Sequence, residues 1–401
     1  MKSWKRTFAI IWTGQALSLL SSSIVQFAII WWITMQTGSA SALAMASIAG
    51  IIPQILLGPF IGVWVDRLDR KKIMIISDLS ISAFTLALGI LFYFDVVAIW
   101  HIYILLAARS VGSAFHYPSM QASVPLLAPE SQLTRIAGIN QTLYSIANIA
   151  GPAIGAVCCS LLPMQTIVLI DIAGAVWACS TLAFVTIPKA PPVEQHNNVW
   201  RDLRASFLVL YQNKGLFAMT IAWLIVVFFF VPVDSLFPLM TSRYFAGGAV
   251  EMSAVEIAFG VGMLIGGGAM SIWGNNKGRV KMINSGLIVM GFCYLLTGFL
   301  APTQFILFIT LVLVMGISVP VFNSPIMSLL QTNIEPGMLG RVFSLMDTLI
   351  LLPVPFGLIF IGTISDTIGV NNIFLIAGVA IIVVGIACFF IKPLMNLDKE
   401  E

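Results

Sequence analysis

Twelve long apolar stretches constrain the fold of this chain more than any other feature. Each has about 20 residues or more, the length an α-helix needs to cross the bilayer hydrocarbon. They lie at residues 8–35, 41–65, 73–94, 98–120, 136–162, 165–187, 215–239, 253–273, 281–300, 304–326, 341–362 and 371–391. The pattern predicts an all-α membrane protein with twelve transmembrane helices.

The composition excludes a soluble fold. Hydrophobic residues make up 59% of the chain and charged residues 9%, whereas a soluble domain has about 25% charged residues. So few charges could not cover an apolar surface of this size. Soluble enzymes, nucleic-acid-binding proteins and disordered proteins are therefore excluded.

The placement of Lys and Arg predicts the orientation of the spans. With twelve spans and a cytoplasmic N-terminus, 18 of the 20 Lys and Arg residues fall on the inner side. Arg243 falls outside, and Arg109 lies within a span. Because cytoplasmic loops are enriched in positive charge, this asymmetry predicts a multi-pass protein with both termini in the cytoplasm.

A polar segment separates six spans from six. It begins with a Pro-rich sequence that cannot continue a helix and then becomes amphipathic, with Trp200, Leu203, Phe207 and Leu210 on one face. A helix of this kind lies on the inner membrane surface. The predicted domains are an N-terminal six-helix bundle (1–188), a cytoplasmic linker with an amphipathic helix (189–214), and a C-terminal six-helix bundle with a short cytoplasmic tail (215–401).

The two groups of spans share weak sequence similarity. Gly112 matches Gly316, Pro118 matches Pro325, Pro152 matches Pro355, and Leu133-Thr-Arg135 matches Leu339-Gly-Arg341. The offset is about 203 to 207 residues throughout. A near-constant offset indicates a duplicated six-helix unit and predicts two pseudo-symmetric bundles.

The loop after the second span resembles the major facilitator superfamily signature G-x-x-x-D-[RK]-x-G-[RK]-[RK]. The matching residues are Gly62, Asp66, Arg67, Arg70 and Lys71, with Asp69 in place of the second glycine. We interpret the loop as a cytoplasmic latch, in which Gly62 allows close helix contact and Asp66 accepts hydrogen bonds from a helix N-terminus or an arginine. The basic residues would pair with acids or lipid headgroups. The alternative is a positive-inside stop signal.

Arg109 is a charged residue inside the fourth span. It lies ten residues after Ile99, or about 15 Å along a helix, where inserting an arginine costs about 2.5–3.5 kcal/mol. Such a cost indicates a charged partner or a water-filled cavity. The facilitator pattern has an arginine in this helix that is linked with proton transfer, so the resemblance makes Arg109 a proton-coupling candidate. The alternative is a fixed ion pair that braces the helices.

Acidic residues within the spans are candidate proton carriers, because a buried carboxyl can exchange protons near neutral pH. Asp171 in the sixth span is the first candidate and Asp347 in the eleventh is the second. Asp78 in the third span is another, although it could instead cap a helix or contact the latch. Asp234 and Glu256 lie nearer the outer surface, where hydration would explain them. A static hydrogen bond is the alternative for each acid.

The fifth span contains Gly151-Pro152-Ala-Ile-Gly155, which resembles the G-P-x-x-G core of a motif found in facilitator antiporters. Gly151 and Gly155 share one helix face and allow close packing, while Pro152 permits a bend. The resemblance favours export over uptake. Ordinary packing of small residues is the alternative.

Polar and aromatic residues within the spans are candidates for lining a substrate cavity. They are Gln15, Gln26, Asn140, Gln141, Asn148, Trp223 and Asn323. The amides could hydrogen-bond substrate hydroxyls and carbonyls, and Trp223 could supply apolar contact. Aromatic residues that face lipid are the alternative.

Longer stretches resemble one branch of the superfamily. Residues 12–16, 109–116, 125–134 and 339–345 are similar to the macrolide efflux proteins of Gram-positive bacteria, in the third drug:proton antiporter family. The resemblance implies the major facilitator fold and proton-driven export of large amphiphilic macrolides across the bacterial plasma membrane by alternating access. It also implies a monomer whose partners are the substrate, protons and membrane lipids, with no nucleic acid and no cofactor.

The sequence leaves other functions open. The exported compound could be a different drug, a lipid or a siderophore, and a nutrient:proton symporter is disfavoured by the fifth-span motif. A sensor without transport is a further alternative. A membrane-embedded enzyme would need a metal or nucleophile cluster, but His101, His116 and His196 are scattered, and the five cysteines lack metal-ligand spacing. We therefore predict a secondary transporter without a metal site, and the absence of a P-loop sequence argues against ATP as the energy source.

Overall fold

The structure is a computed structural model that describes residues 3–127, 129, 133–187, 199–273 and 278–397. These residues form helices, including one π-helical turn, and no strand. The first helices are α1 (Ser3–Thr37), α2 (Ala40–Arg67), α3 (Arg70–Tyr93), α4 (Ile99–Leu127), α5 (Leu133–Leu161), α6 (Met164–Ala183) and α7 (Val199–Gln212). They are followed by α8 (Lys214–Asp234), α9 (Phe237–Leu239), the π-helical turn (Met240–Tyr244), α10 (Ala249–Trp273), α11 (Arg279–Phe299), α12 (Phe305–Asn333), α13 (Pro336–Leu351), α14 (Pro353–Ile368), α15 (Val370–Phe390) and α16 (Lys392–Met395).

The twelve predicted spans all correspond to helices. In the described part of the chain, ten helical segments are long and apolar enough to cross a membrane, which confirms an all-helical membrane protein with many spans. The fourth predicted span, in α4, is not among the ten; it contains Arg109 and two histidines. The fifth is represented by the shorter apolar segment Ser145–Leu161.

The eleventh predicted span is built from two helices. α13 ends at Leu351 and α14 begins at Pro353. Proline has no backbone N–H to donate, so it interrupts a helix when it falls inside one but fits well in a first turn. The proline therefore accounts for the new helix start within this span.

The chain divides into two compact units. Unit 1 contains Met1–Gln36 and Met45–Gln195, and unit 2 contains Thr37–Ala44 and His196–Glu401. In unit 1, α3 packs against α4 and α6; in unit 2, α10 packs against α12 and α11 against α15. Glycine allows the closest of these approaches, because a Cβ on Gly262 of α10 would overlap the Leu313 carbonyl oxygen of α12.

The amphipathic part of the predicted linker corresponds to α7. Of the four apolar residues assigned to one face, Leu210 is buried and Phe207 is exposed, while the side chains of Trp200 and Leu203 lie outside the described residues. α7 ends at Gln212, and the Asn213 side chain caps the next helix by accepting hydrogen bonds from two backbone N–H groups at the start of α8, each at 3.1 Å. The start of α8 is thereby fixed by a local sequence signal.

Candidate functional site

A buried ion pair joins α4 to α6 in unit 1. Arg109 Nη1 lies 2.8 Å from Asp171 Oδ2, and the two side chains are only 8% and 2% exposed. Burial of two charges costs desolvation energy, which is offset only if the geometry is good and the remaining polar atoms are hydrogen-bonded. The structure thus brings together two of the residues predicted to couple protons, in a geometry that a bracing ion pair would share.

Two hydroxyl groups complete the hydrogen bonding of Asp171. Ser22 of α1 donates to Oδ1 at 2.6 Å, and Thr85 of α3 donates to Oδ2 at 2.7 Å. Arg109 also donates to the Thr85 hydroxyl, which lies 2.9 Å from a second acceptor, the Ile81 carbonyl oxygen. Four helices therefore converge on one carboxylate. Ser22 and Thr85 were not predicted from the sequence, where no spacing or charge distinguishes them from other hydroxyl residues in the spans.

Glycines bring α1 close enough to α6 for this site to form. A Cβ on Gly174 of α6 would overlap the Ser21 hydroxyl of α1, and a Cβ on Gly14 of α1 would overlap Thr181 of α6. Small residues allow two helix backbones to approach in this way. Gly174 lies three residues after Asp171, about one helical turn, so the same close contact holds Ser22 beside the carboxylate.

A second buried pair joins α3 to α4 in the same unit. His116 Nε2 lies 3.3 Å from Asp78 Oδ1, but the geometry is not that of a hydrogen bond, and neither His116 Nε2 nor Asp78 Oδ2 has a hydrogen-bond partner among the described residues. Asp78 lies seven residues before Thr85 and His116 lies seven after Arg109, so the two sites are separated by about two helical turns on both helices. His116, which the sequence presents as scattered, is therefore paired with a predicted proton-coupling acid.

Some predicted site residues cannot be placed. The side chains of Asp66, Arg67, Gln141 and Asp347 and the surroundings of Gly62 lie outside what the structure describes, although the backbone at each position is helical. The proposed latch contacts of Asp66 and the second acid candidate, Asp347, consequently stay predictions.

The described part of the predicted latch is bonded within unit 1. Asp69 caps α3 by accepting a hydrogen bond from the Lys72 N–H at 3.3 Å, so the residue that replaces the signature glycine begins the helix. Arg70 donates to the Ala122 carbonyl of α4 at 2.8 Å, and Lys71 donates to the Val185 carbonyl just after α6 at 2.7 Å. A positive charge near a helix C-terminus also complements the helix dipole.

The fifth-span motif packs against α1. A Cβ on Gly151 would overlap Ser23, and a Cβ on Gly155 would lie 2.8 Å from Phe27 Cδ1. Pro152 is buried within α5. The observed contacts are those of close helix packing, the alternative that the sequence left open, and they are equally compatible with a role of the motif in export.

The predicted cavity residues of unit 1 occupy different environments. Gln15 is fully buried, and neither its amide oxygen nor its amide nitrogen has a hydrogen-bond partner among the described residues. Asn140 is also buried, but it accepts from Trp12 Nε1 and donates to Gln121 Oε1. Gln26 and Asn148 are exposed. Gln15 is therefore a buried amide whose hydrogen-bonding capacity is unused among the described residues.

The two predicted cavity residues of unit 2 lie on α8 and α12. Trp223 is partly buried, and its ring centroid lies 5.1 Å from that of Phe322. Asn323 is the next residue on α12 and is also partly buried. Trp223 therefore packs against another ring of the same unit.

Comparisons with known proteins identify the family. The chain matches the Major Facilitator Superfamily over residues 11–352 and 233–400. It is 42% identical over 400 residues to Macrolide efflux protein A of Streptococcus pyogenes (99% of each chain), and 41% identical over 323 residues to Macrolide efflux protein A of Enterococcus faecalis (80% of this chain and all of the relative). Its fold matches that of the nucleoside transporter NupG with a TM-score of 0.76 at 14% identity, over 94% of this chain and 98% of NupG. The chain is therefore a multi-pass membrane transporter that belongs to the Major Facilitator Superfamily.

Proposed function

We propose that the protein exports macrolide antibiotics, or similar large amphiphilic drugs, in exchange for protons. Similarity along the whole chain to proteins named for macrolide efflux supports the substrate class. In this proposal twelve transmembrane helices form two six-helix bundles that alternate access to a central site. The protein acts as a monomer in the plasma membrane, with both termini in the cytoplasm, membrane lipids around it and no cofactor.

The observation that carries the proposal is the hydrogen-bonded Arg109–Asp171 pair. As a carboxylate, Asp171 accepts hydrogen bonds from Ser22, Thr85 and Arg109. Protonation would remove its charge and turn one acceptor oxygen into a donor. The guanidinium of Arg109 would then lack its buried counter-ion, a costly arrangement that favours movement of α4 relative to α6. One proton would thus change the balance between two conformations.

The proton gradient is sufficient to drive such export. For a substrate that crosses without charge, one proton that enters across about 100 mV releases about 2.3 kcal/mol, which sustains a concentration ratio of about fifty. Exchange of one proton for one substrate cation moves no net charge, so the pH gradient alone drives it. ATP is not required by this scheme.

The test is efflux of radiolabelled erythromycin from cells that express the protein. We expect accumulation to fall below that of an empty-vector control and to be restored by a protonophore. Asp171→Asn should abolish proton-coupled export in proteoliposomes, because the amide cannot ionise. Asp95→Asn is the matched control, since Asp95 is an exposed acid with a positive φ that asparagine tolerates.

Two outcomes would contradict the proposal. Erythromycin accumulation equal to that of the empty-vector control would show that the substrate is another amphiphile. Export of such a compound can be measured in the same cells. Intact proton coupling in Asp171→Asn would remove Asp171 from the coupling mechanism.

A further inference from the structure

A membrane span of unit 2 is interrupted at an acidic residue. The apolar segment Lys214–Tyr244 is long enough to cross the membrane as one span, but α8 ends at Asp234, after Pro232. The chain then continues through the short α9 and the π-helical turn. Interrupted helices and π-turns within membrane proteins often mark functional sites. Asp234 lies ten residues before Tyr244, where the apolar segment ends.

Glu256 of α10 lies close to Asp234. Phe237, three residues after Asp234, lies 6.4 Å from Phe259, three residues after Glu256, measured between ring centroids, and both acids are partly buried. Glu256 lies seven residues after the start of α10, about 10 Å into the membrane segment. Hydration at the outer surface, which the sequence allowed for these two acids, stays the alternative, and the structure adds the helix interruption that follows Asp234.

Tyr294 of α11 reaches the same group. Its ring is fully buried, its hydroxyl has no hydrogen-bond partner among the described residues, and it packs against Phe374, which also stacks on Phe237, three residues after Asp234. A buried hydroxyl without a partner is unfavourable and has hydrogen-bonding capacity for a group that enters the site.

Aromatic rings adjoin these polar groups. Phe374 of α15 lies 5.8 Å from Tyr294 and 5.8 Å from Phe237, measured between ring centroids. Phe237 also lies 6.4 Å from Phe259 of α10. Such rings provide an apolar wall and can attract a cation through their faces.

No cationic side chain in the described part of unit 2 pairs with the two acids. Arg243, on the π-helical turn, donates to the Thr37 carbonyl oxygen at 3.4 Å, and Glu251 of α10 accepts a hydrogen bond from the Gly248 N–H at 2.8 Å. On α11 the charged residues are Arg279 and Lys281 at the opposite end of the helix, whereas α12 and α15 contain none. Neighbouring acids in an apolar segment are costly, and binding of a proton or a cation lowers that cost.

We propose that Asp234, Glu256 and Tyr294 form a cation site that receives the protonated amine of an amphiphilic substrate. The inference rests on the proposed export of amphiphiles and specifies the chemical group that unit 2 recognises. The carboxylates attract the charge, the Tyr294 hydroxyl supplies a hydrogen-bonding atom, and the rings contact the apolar part of the substrate.

The test is binding of two probes, tetraphenylphosphonium and erythromycin, to the purified full-length protein. The charge of tetraphenylphosphonium does not change with pH, so any pH dependence of its binding comes from the protein. We expect its binding to strengthen as pH rises and the carboxyl groups lose protons. Asp234→Asn and Glu256→Gln should each weaken its binding about tenfold, which corresponds to about 1.4 kcal/mol.

Two further variants sharpen the test. Glu251→Gln is the matched control on α10, and it should leave tetraphenylphosphonium binding unchanged because its carboxylate already accepts a backbone hydrogen bond. Tyr294→Phe keeps the ring packing and loses the hydroxyl, so it should weaken erythromycin binding more than tetraphenylphosphonium binding, because the phosphonium has no hydrogen-bond donor.

Wild-type affinity for tetraphenylphosphonium in folded Asp234→Asn and Glu256→Gln, with folding checked by thermal unfolding, would overturn the cation site. If the two variants still bind tetraphenylphosphonium with wild-type affinity but no longer release protons, the acids are proton carriers. That result would also overturn the cation site. Cation binding that depends on the two acids, without erythromycin export by the wild type, would refute macrolide export and leave the cation site standing.

Discussion

The Arg109–Asp171 pair predicts unequal costs for removing its two members. Asp171→Leu leaves a buried guanidinium that cannot lose its charge, so we expect the protein to be destabilised by about 3–5 kcal/mol. Arg109→Met leaves a carboxyl that can become neutral by taking up a proton and that keeps the Ser22 and Thr85 hydroxyls as partners. We expect that variant to lose about 1–3 kcal/mol, the cost of one lost partner.

The double variant Arg109→Met/Asp171→Leu separates stability from transport. Replacing both members of a buried ion pair by apolar residues is often neutral, and Thr85 keeps the Ile81 carbonyl oxygen as an acceptor. We therefore expect the double variant to be more stable than Asp171→Leu alone and to show no proton-coupled export. Unfolding in detergent measures the first quantity, and erythromycin efflux measures the second.

Three results would refute this reasoning. A loss of stability in Arg109→Met equal to or above that in Asp171→Leu would show that the remaining carboxyl group does not become neutral by taking up a proton. A double variant less stable than either single variant would show that the charges do not compensate each other. Full export by the double variant would remove the pair from the coupling mechanism.

Three further predictions follow from local contacts. Gly174→Val should separate α1 from α6 and reduce both folded yield and export, whereas Gly267→Ala should be tolerated because a Cβ there meets nothing within 4 Å; detergent-soluble yield and efflux test both. His116→Gln should lower stability by about 1–3 kcal/mol, because Asp78 would lose the imidazole that lies 3.3 Å from its carboxylate, and wild-type thermal stability would contradict this. Asp366→Ala should destabilise by about 0.5–2 kcal/mol, because its carboxylate accepts from the backbone N–H groups of residues 40 and 41 at 2.7 and 3.1 Å; an unchanged unfolding temperature would count against the cap.

Hydropathy predicted most of the helices because membrane spans require long apolar runs regardless of their packing. It did not predict the division of the eleventh span, where Pro353 starts a new helix within an otherwise continuous apolar run. Hydropathy also did not predict which helices contact each other. Gly112 and Gly316 match in the sequence repeat, yet Gly112 packs against Ile81 of α3 and Gly316 packs against Phe259 of α10.

The candidate site was predictable where a residue type is costly in the membrane. Arg109 and Asp171 are recognisable because a charged residue within an apolar span is costly and therefore rare. Thr85 is not, since threonine commonly bonds a backbone carbonyl of its own helix, as Thr85 does. His116 became informative only when the register between α3 and α4 placed it beside Asp78, and a single sequence does not specify that register.

The Thr85 hydroxyl has one hydrogen and two competing acceptors. Its oxygen lies 2.7 Å from Asp171 Oδ2 and 2.9 Å from the Ile81 carbonyl oxygen, so rotation about a single C–O bond transfers the hydrogen bond from one acceptor to the other. When Asp171 is ionised the hydrogen points to the carboxylate, and when Asp171 is neutral it can turn back to the backbone of α3. The protonation state of Asp171 on α6 thereby changes the hydrogen bonding of α3 without displacement of any heavy atom. The change appears in the strength of the Ile81 carbonyl bond. Infrared spectroscopy with a ¹³C label at the Ile81 carbonyl would detect that rotation.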